Sequence, residues 1–317
     1  QYTLINGYLK YTDVINRDVY GNFGFNTGVF QLDAVASGRF LTNAPTTQYA
    51  NINDYGTLSF MATPVTGSVS TSTVDYLKII LYDESGSQLG TDITIDNVDG
   101  NGGNTTWDLA TKNQLLHLGC FPANLKNWSS VFLANMTDLS YYTIQAFTSV
   151  NLVMSELITI NVNCPTLKGF EPIRLTWLNQ WGVWDYYTFK MKSTKSISTK
   201  GSTYQQLAGT WNESIYLPNG YKGGKKAFRV NATEKVVMNT DFVNQSESEW
   251  FEELINSPEV YILEGFQDDP SFSSFNTYVT PVRLTTSSYT RKTVANDKLM
   301  QYTFEVEKSK TLRTQSV

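Results

Sequence analysis

The sequence is poor in charge, cysteine and histidine. Charged residues make up 17% of its 317 residues, the formal net charge is −5, and His117 is the single histidine. A low content of Lys and Arg argues against a generic nucleic-acid binder, because phosphate contacts need concentrated positive charge. No Ser or Cys lies in a recognisable nucleophile turn that could work with His117. We therefore expect a protein that is not an enzyme, with no catalytic residue, metal site or cofactor.

The two cysteines, Cys120 and Cys164, lie far apart in the chain. They could form one disulfide, and nothing in the spacing decides it. We favour two free, inert thiols in a protein assembled inside a reducing cell, since only an oxidising compartment would keep a bond.

Long apolar runs are also missing. No stretch approaches the roughly 18 apolar residues that a transmembrane helix needs, so no membrane span is expected. No signal peptide is recognisable either. The chain opens at Gln1 instead of a methionine, so the sequence leaves open whether Gln1 is the true N-terminus.

What the sequence has is aromatic side chains, 14% of all residues, and many short segments of alternating polarity broken by turn residues. This pattern is typical of β-sandwiches. Charge divides the chain: residues 1–164 hold 6 Lys and Arg against 13 Asp and Glu, a net of −7, whereas residues 165–317 hold 18 against 16, a net of +2. We therefore predict a mainly β protein with two β-sandwich-type domains, 1–164 and 165–317.

Individual strands follow from alternation and turn signals. The segment Lys195–Tyr204, polar and rich in Ser and Thr, is expected to be an exposed edge or loop. Strands are predicted at Asp75–Tyr82, Gln88–Asp96, Tyr141–Phe147, Leu157–Val162, Ile173–Leu178, Val183–Lys192, Phe228–Met238, Val260–Leu263, Tyr278–Leu284 and Lys298–Glu307.

One α-helix is predicted, over Ser246–Asn256, as the single helical flank of the C-terminal domain. Ser246 and Glu249 fit a capping box, in which side chains satisfy the free N–H groups of the first turn. Trp250, Phe251, Leu254 and Ile255 form one apolar stripe. Pro258 then prevents the helix from continuing.

The densest aromatic cluster lies around the turn between two predicted strands. Its members, with two from the helix, are candidates for packing or for a subunit interface, as large aromatics often are: Trp177, Trp181, Trp184, Tyr186, Tyr187, Trp250 and Phe251. An alternative is a stacking platform for sugar rings. A third possibility is a glycosidase that pairs Asp185 with Glu171, although sequence alone cannot place two carboxylates at a working separation.

Three segments carry a resemblance to a known group of proteins: Arg174–Lys190 (RLTWLNQWGVWDYYTFK), Asn239–Ile262 (NTDFVNQSESEWFEELINSPEVYI) and Val279–Lys308 (VTPVRLTTSSYTRKTVANDKLMQYTFEVEK). From Arg174 onward the chain resembles tail and neck structural proteins of tailed bacteriophages, particularly crAss-like phages, and the tail-tube and distal-tail fold. Leu115–Leu125 (LLHLGCFPANL) gives less specific support. The resemblance rests on sequence texture and supplies no functional motif.

The resemblance implies a ring-forming virion subunit without an active site, assembled in the host cytoplasm. Its partners would be further copies of itself and other tail or neck proteins. An acidic N-terminal half would also suit a lumen through which DNA passes without specific binding, because like charges repel. The alternative function is a carbohydrate-binding adhesin or receptor-binding protein, which would need Trp177, Trp181 and Trp184 on an exposed face.

Overall fold

The computed structural model describes residues 38–62, 76–96, 114–148, 150–163, 170–209, 214–217, 223–263, 279–286, 288, 300–309 and 312–313. Within these ranges the protein is mainly β, with a few short helices, as predicted. The helices are α1 (Pro122–Trp128), α2 (Ser130–Asn135) and α3 (Gln245–Asn256). The strands are β1 (Thr47–Asn51), β2 (Thr57–Ala62), β3 (Tyr76–Tyr82), β4 (Gln88–Asp96), β5 (Gln114–Gly119), β6 (Tyr141–Phe147), β7 (Ile158–Asn163), β8 (Ile173–Leu178), β9 (Trp184–Phe189), β10 (Thr194–Gln206), β11 (Gly224–Asn239), β12 (Val260–Leu263), β13 (Val279–Leu284), β14 (Thr303–Lys308) and β15 (Leu312–Arg313).

The first unit is built on a five-stranded sheet in the order β1-β7-β6-β3-β4. Its pairs are antiparallel except β1 with β7, which run parallel. On β3, Leu77, Ile79 and Leu81 are buried while the residues between them are half-buried, the alternation expected of a strand covered on one face. The small β2–β5 sheet, α1 and α2 contribute to the same apolar core, so they form the covering layer.

The second unit is an eight-stranded sheet in the order β10-β11-β14-β13-β12-β8-β9, with β15 paired to β11. Helix α3 packs on one face of this sheet. Phe251 lies at the centre of the core, with its ring centroid 4.9 Å from that of Tyr187 and 5.5 Å from that of Phe304. Trp250 contacts Trp177 at 4.9 Å between ring centroids. The apolar stripe predicted from the sequence therefore forms the face with which α3 packs on the sheet.

The cap of α3 differs from the prediction. Asn244, two residues before Ser246, is the N-cap: its Oδ1 accepts from the backbone N–H of Glu247, and the Glu247 carboxylate accepts from the Asn244 N–H. Ser246 lies inside the first turn and donates its hydroxyl proton to Asn244 Oδ1. Asn is as good a cap as Ser, so the box begins at the earlier residue. Glu253 of this helix is buried.

Two helices were not predicted. Helix α1 begins with Pro122 at its first position, where the missing N–H costs nothing. It has no side-chain cap, because Phe121 is the N-cap residue. Helix α2 starts at once behind it, with Ser129 Oγ accepting from the Phe132 N–H. Within the described residues, the predicted helix is therefore confirmed in the C-terminal unit, and two short helices that were not predicted lie in the N-terminal unit.

The N-terminal unit contains Cys120, which is a buried free thiol, as favoured from the sequence. Burial raises the pKa of this thiol to about 12, so it stays protonated and unreactive. Cys164 lies outside the described residues. Among the helices that the structure describes, none is long and apolar enough to cross a bilayer.

The observed cap predicts a specific pattern of stability losses. Asn244→Ala removes the acceptor of the Glu247 N–H and is expected to lower the free energy of unfolding by about 1 kcal/mol. Ser246→Ala removes an exposed hydroxyl and is expected to change it by less than about 0.5 kcal/mol. Urea denaturation followed by tryptophan fluorescence measures both. A larger loss for Ser246→Ala would contradict the assignment of the cap.

Candidate functional site

The β8–β9 hairpin lies between two layers, and its side chains point alternately to one layer and to the other. On one face, Tyr187 points to α3. On the other face, Tyr186 packs against Phe121 of the first unit at 5.5 Å between ring centroids, and its hydroxyl is hydrogen-bonded to Thr57 Oγ1 at 3.0 Å. This hairpin is therefore where the two units of the protein meet.

Arg174 on β8 lies at the centre of this junction between the two units. Its guanidinium is 4% exposed and lies 3.2 Å from Asp54 Oδ2 of the first unit. Nε and Nη2 donate to the Tyr55 carbonyl at 3.1 and 3.0 Å, and Nη1 also donates to Thr188 Oγ1 at 2.8 Å. The guanidinium carbon lies 4.8 Å from the centroid of the Phe121 ring, a cation–π contact. A buried charge is tolerable only with such paired and hydrogen-bonded surroundings.

A second buried charge, Asp185 on β9, faces the opposite side. One carboxylate oxygen accepts from Trp250 Nε1 of α3 at 2.7 Å, and the other accepts from Thr42 Oγ1 at 2.7 Å. Burial raises the pKa of Asp185 to about 6, while these hydrogen bonds act in the opposite direction. Asp185 therefore ties a segment of the first unit to the helix of the second.

That segment, residues 41–44, wraps around the β9 edge of the large sheet. The Leu41 carbonyl accepts from Asn179 Nδ2 at 2.9 Å. Asn43 Nδ2 donates to the buried carboxylate of Glu253, and Ala44 belongs to the core of the second unit. Arg174 and Asp185 point to opposite faces of the β8–β9 hairpin, and each is contacted there by residues of the first unit.

The aromatic residues singled out from the sequence lie mostly in this interior. Trp177 is 0% exposed and Trp181 4% exposed, and Trp250 and Phe251 are also buried. Trp184, Tyr186 and Tyr187 are half-buried, with Trp184 packed against Tyr261. They serve packing within one chain. The sugar platform required an exposed flat face, which the burial of Trp177 and Trp181 removes.

The other catalytic candidates are not assembled into a site. Asp185 is buried, whereas the Glu171 side chain is 64% exposed and pairs with Lys195, so the two carboxylates do not face each other across a cleft. His117 Nδ1 lies 2.7 Å from Ser59 Oγ, but the two are cross-strand neighbours on β2 and β5. Ser59 is buried, so this hydroxyl is not placed to meet a substrate.

A surface that was only partly predicted projects from the other edge of the large sheet. We define the hairpin arm as residues 196–206 of β10 and 224–233 of β11. Within the described residues, β11 pairs with β14 only from Lys235 onward and with β15 only at Asn231 and Ala232, so most of the arm is a two-stranded ribbon. Along β10, the edge strand of the sheet, every residue before Gln206 is exposed.

The hairpin arm exposes large apolar side chains. Phe228 is 77% exposed, Ile197 64% and Tyr204 46%, and the rings of Tyr204 and Phe228 contact each other edge to face at 6.5 Å. The sequence predicted an exposed edge or loop at Lys195–Tyr204 and a strand at Phe228–Met238. The first segment is an edge strand, and its pairing with the second was not predicted.

Comparison of the chain with family models, curated proteins and solved structures finds no match in any of the three.

The junction predicts a large effect of Arg174→Met, which leaves the Asp54 carboxylate buried without its cation. The expected loss is about 3–5 kcal/mol of unfolding free energy. Adding Asp54→Asn to this variant is expected to recover part of that loss, because the uncompensated charge is then gone. Chemical denaturation of the two single variants and the double variant gives the coupling between them. Lys235→Met, which breaks an exposed pair with Glu305, is the control and is expected to change stability little. Equal losses for Arg174→Met and Lys235→Met would contradict the role of the buried pair.

Asp185 predicts a pH dependence. Its pKa in the folded protein is about 6 against an ordinary 3.8, so between these values the folded state binds more protons than the unfolded state. Stability relative to Asp185→Asn is therefore expected to fall as the pH rises from about 4 through about 6, by on the order of 1–3 kcal/mol. Unfolding free energies of both proteins at several pH values measure it. Parallel profiles for the two proteins would contradict the prediction.

Proposed function

We propose that this chain is a non-enzymatic virion structural protein, the subunit of a ring-shaped tail or neck assembly of a tailed bacteriophage. Its partners in this proposal are copies of itself and neighbouring tail or neck proteins. The proposal draws on the resemblance of the C-terminal half to tail proteins and on the physical properties of the described surface.

The first support is rigidity. A ring subunit transmits load between neighbours, so its parts must keep a fixed relative orientation. The Arg174–Asp54 pair and the Thr42–Asp185 hydrogen bond connect the two units through buried polar contacts whose geometry is specific. Interfaces of this kind resist sliding more than purely apolar ones, because each displaced partner leaves a buried charge unpaired.

The hairpin arm is the observation that carries the proposal. Two-stranded ribbons are marginally stable by themselves in water. This one also exposes Ile197, Tyr204 and Phe228 at the edge of a sheet, where the outer N–H and C=O groups of β10 have no strand partner within the described part of the chain. Exposed edges and apolar groups that are not covered within the chain are typical of surfaces that pair with another protein.

The interior of the protein adds a second argument. The densest aromatic cluster of the sequence is used for packing, which leaves no flat aromatic face at β8–β9 for a sugar. Two exposed aromatic side chains, Tyr204 and Phe228, lie instead on the arm, beside an edge strand, where strand pairing and aromatic burial can occur together. These features favour assembly over carbohydrate binding as the role of the surface.

The proposal predicts that the purified chain forms large closed oligomers, measured by native mass spectrometry and by electron microscopy of negatively stained particles. Phe228→Ser together with Ile197→Ser is expected to weaken assembly about tenfold per residue, since each loses on the order of 1.4 kcal/mol of apolar burial. Phe242→Ser is the matched control, because Phe242 is 54% exposed but lies outside the arm.

The monomer fold is expected to be unchanged in both variants, because each substituted side chain is exposed. A wild-type protein that stays monomeric at high micromolar concentration, or that binds glycans on an array, would refute the proposal. Equal effects of the arm variant and of Phe242→Ser would show that the arm is not the assembly surface.

A further inference from the structure

The hairpin arm is strongly basic. It carries Lys200, Lys225, Lys226 and Arg229, all exposed, and contains no Asp or Glu. Among the residues that the structure describes, none of these cations forms an ion pair, and Arg229 Nε instead donates to Asn231 Oδ1 at 3.1 Å. Four positive charges on this two-stranded ribbon repel one another, so a negatively charged partner would stabilise the arm.

A surface of opposite charge lies at one end of the five-stranded sheet. The β3–β4 turn carries Asp83 and Glu84, and the Ser140 N–H donates to the Tyr82 carbonyl at 2.9 Å, which brings the turn close to Asp138. We call Asp83, Glu84 and Asp138 the acidic end. Glu84 and Asp138 are exposed.

Two further features make the acidic end a suitable partner. The Asp83 carboxylate accepts from Ser85 Oγ at 2.7 Å and from the Ser87 N–H at 2.8 Å, which lowers its pKa and keeps it charged. Beside it, the half-buried rings of Tyr82 and Tyr141 stack at 4.9 Å between centroids. Negative charge next to an aromatic surface complements an arm that combines Lys and Arg with Tyr204 and Phe228.

We propose that the hairpin arm of one copy docks on the acidic end of the next copy, a head-to-tail contact between two different surfaces of the same chain. This inference rests on the proposed function and names the contact through which the proposed ring assembles. A contact of this kind repeats from subunit to subunit and closes into a ring when the rotation between neighbours allows it.

A second copy is favoured over nucleic acid as the occupant of the arm. The arm combines its cations with exposed apolar side chains, whereas a phosphate backbone offers no apolar counterpart to Ile197. The chain as a whole carries a net charge of −5, which repels a polyanion, and it supplies the complementary acidic end itself. The opposite net charges of the two halves, −7 over residues 1–164 and +2 over residues 165–317, favour the same head-to-tail order.

A charge-reversal experiment on the full chain tests the docking. Lys225→Glu with Lys226→Glu takes the net charge of the arm from +4 to 0, and Glu84→Lys with Asp138→Lys takes that of the acidic end from −3 to +1. Each pair alone removes the attraction between the two surfaces and is expected to weaken assembly at least tenfold, as measured by native mass spectrometry over a concentration series. All four substitutions in one chain place two carboxylates on the arm and two ammonium groups on the acidic end, and are expected to assemble at least about threefold more tightly than either pair alone.

The control is Lys192→Glu with Lys195→Glu, which makes the same change in net charge at the base of the same hairpin. It also breaks the exposed Lys195–Glu171 pair, but such surface pairs contribute little, so it is expected to assemble like wild type. Assembly that survives the two arm substitutions, or that is no stronger in the fourfold variant than in either pair alone, overturns the docking while leaving the proposed function standing. Equal loss in the control overturns it as well. The absence of any wild-type oligomer overturns both proposals. If the wild-type protein shifts duplex DNA in electrophoresis and the arm variant does not, while both have the same oligomer mass, the arm binds nucleic acid and the docking is overturned.

Discussion

The burial of the Arg174 guanidinium is the constraint on which the arrangement of the two units depends. A buried cation loses its hydration, and the loss is offset only if almost every donor finds an acceptor. Here the acceptors are divided between the units: Thr188 belongs to the same sheet as Arg174, whereas Asp54 and the Tyr55 carbonyl belong to the other unit. The first unit is therefore needed to complete the surroundings of a charge that lies in the second.

A similar arrangement lies on the opposite face of the hairpin, where the buried charge is negative. Asp185 is a buried anion of the second unit, and one of its hydrogen-bond donors, Thr42, comes from the first. Because Arg174 and Asp185 lie on opposite faces of neighbouring strands, their partners must approach from both sides. Residues 41–44 meet this requirement on the α3 side, where they contact the β8–β9 turn, Asp185 and the core of the second unit. The hairpin arm emerges at β10, the opposite edge of the large sheet.

Much of the fold could be predicted from the sequence because local alternation determined it. Strands such as β4, β6, β8 and β12 lie where the pattern placed them, and the apolar stripe of α3 packs as expected. Helices α1 and α2 were missed because each spans two turns or fewer and α1 has no polar cap.

The junction could not be predicted, for a different reason. In β8, Arg174 alternates with Ile173 and Leu175, a pattern that normally places the charge in water, and only the partners supplied by the distant Asp54 and Tyr55 make its burial favourable. Glu253 is buried in a similar way, because Asn43 comes from far along the chain. Alternation reports which face a residue occupies. It does not report whether a second layer covers that face.

The distribution of aromatic residues follows from the same two-sided burial. A hairpin covered on both faces needs large side chains on both, and β9 supplies them with Tyr186 toward the first unit and Tyr187 toward α3. The arm follows the opposite rule: it has large side chains and charges but no covering layer within the described chain. A protein that fixes its two units through buried charges also fixes the direction in which an uncovered hairpin leaves the body. In the proposed head-to-tail contact, this direction decides whether successive contacts close into a ring or continue as a filament. The buried charges of the junction therefore set the direction in which the arm presents its exposed charges.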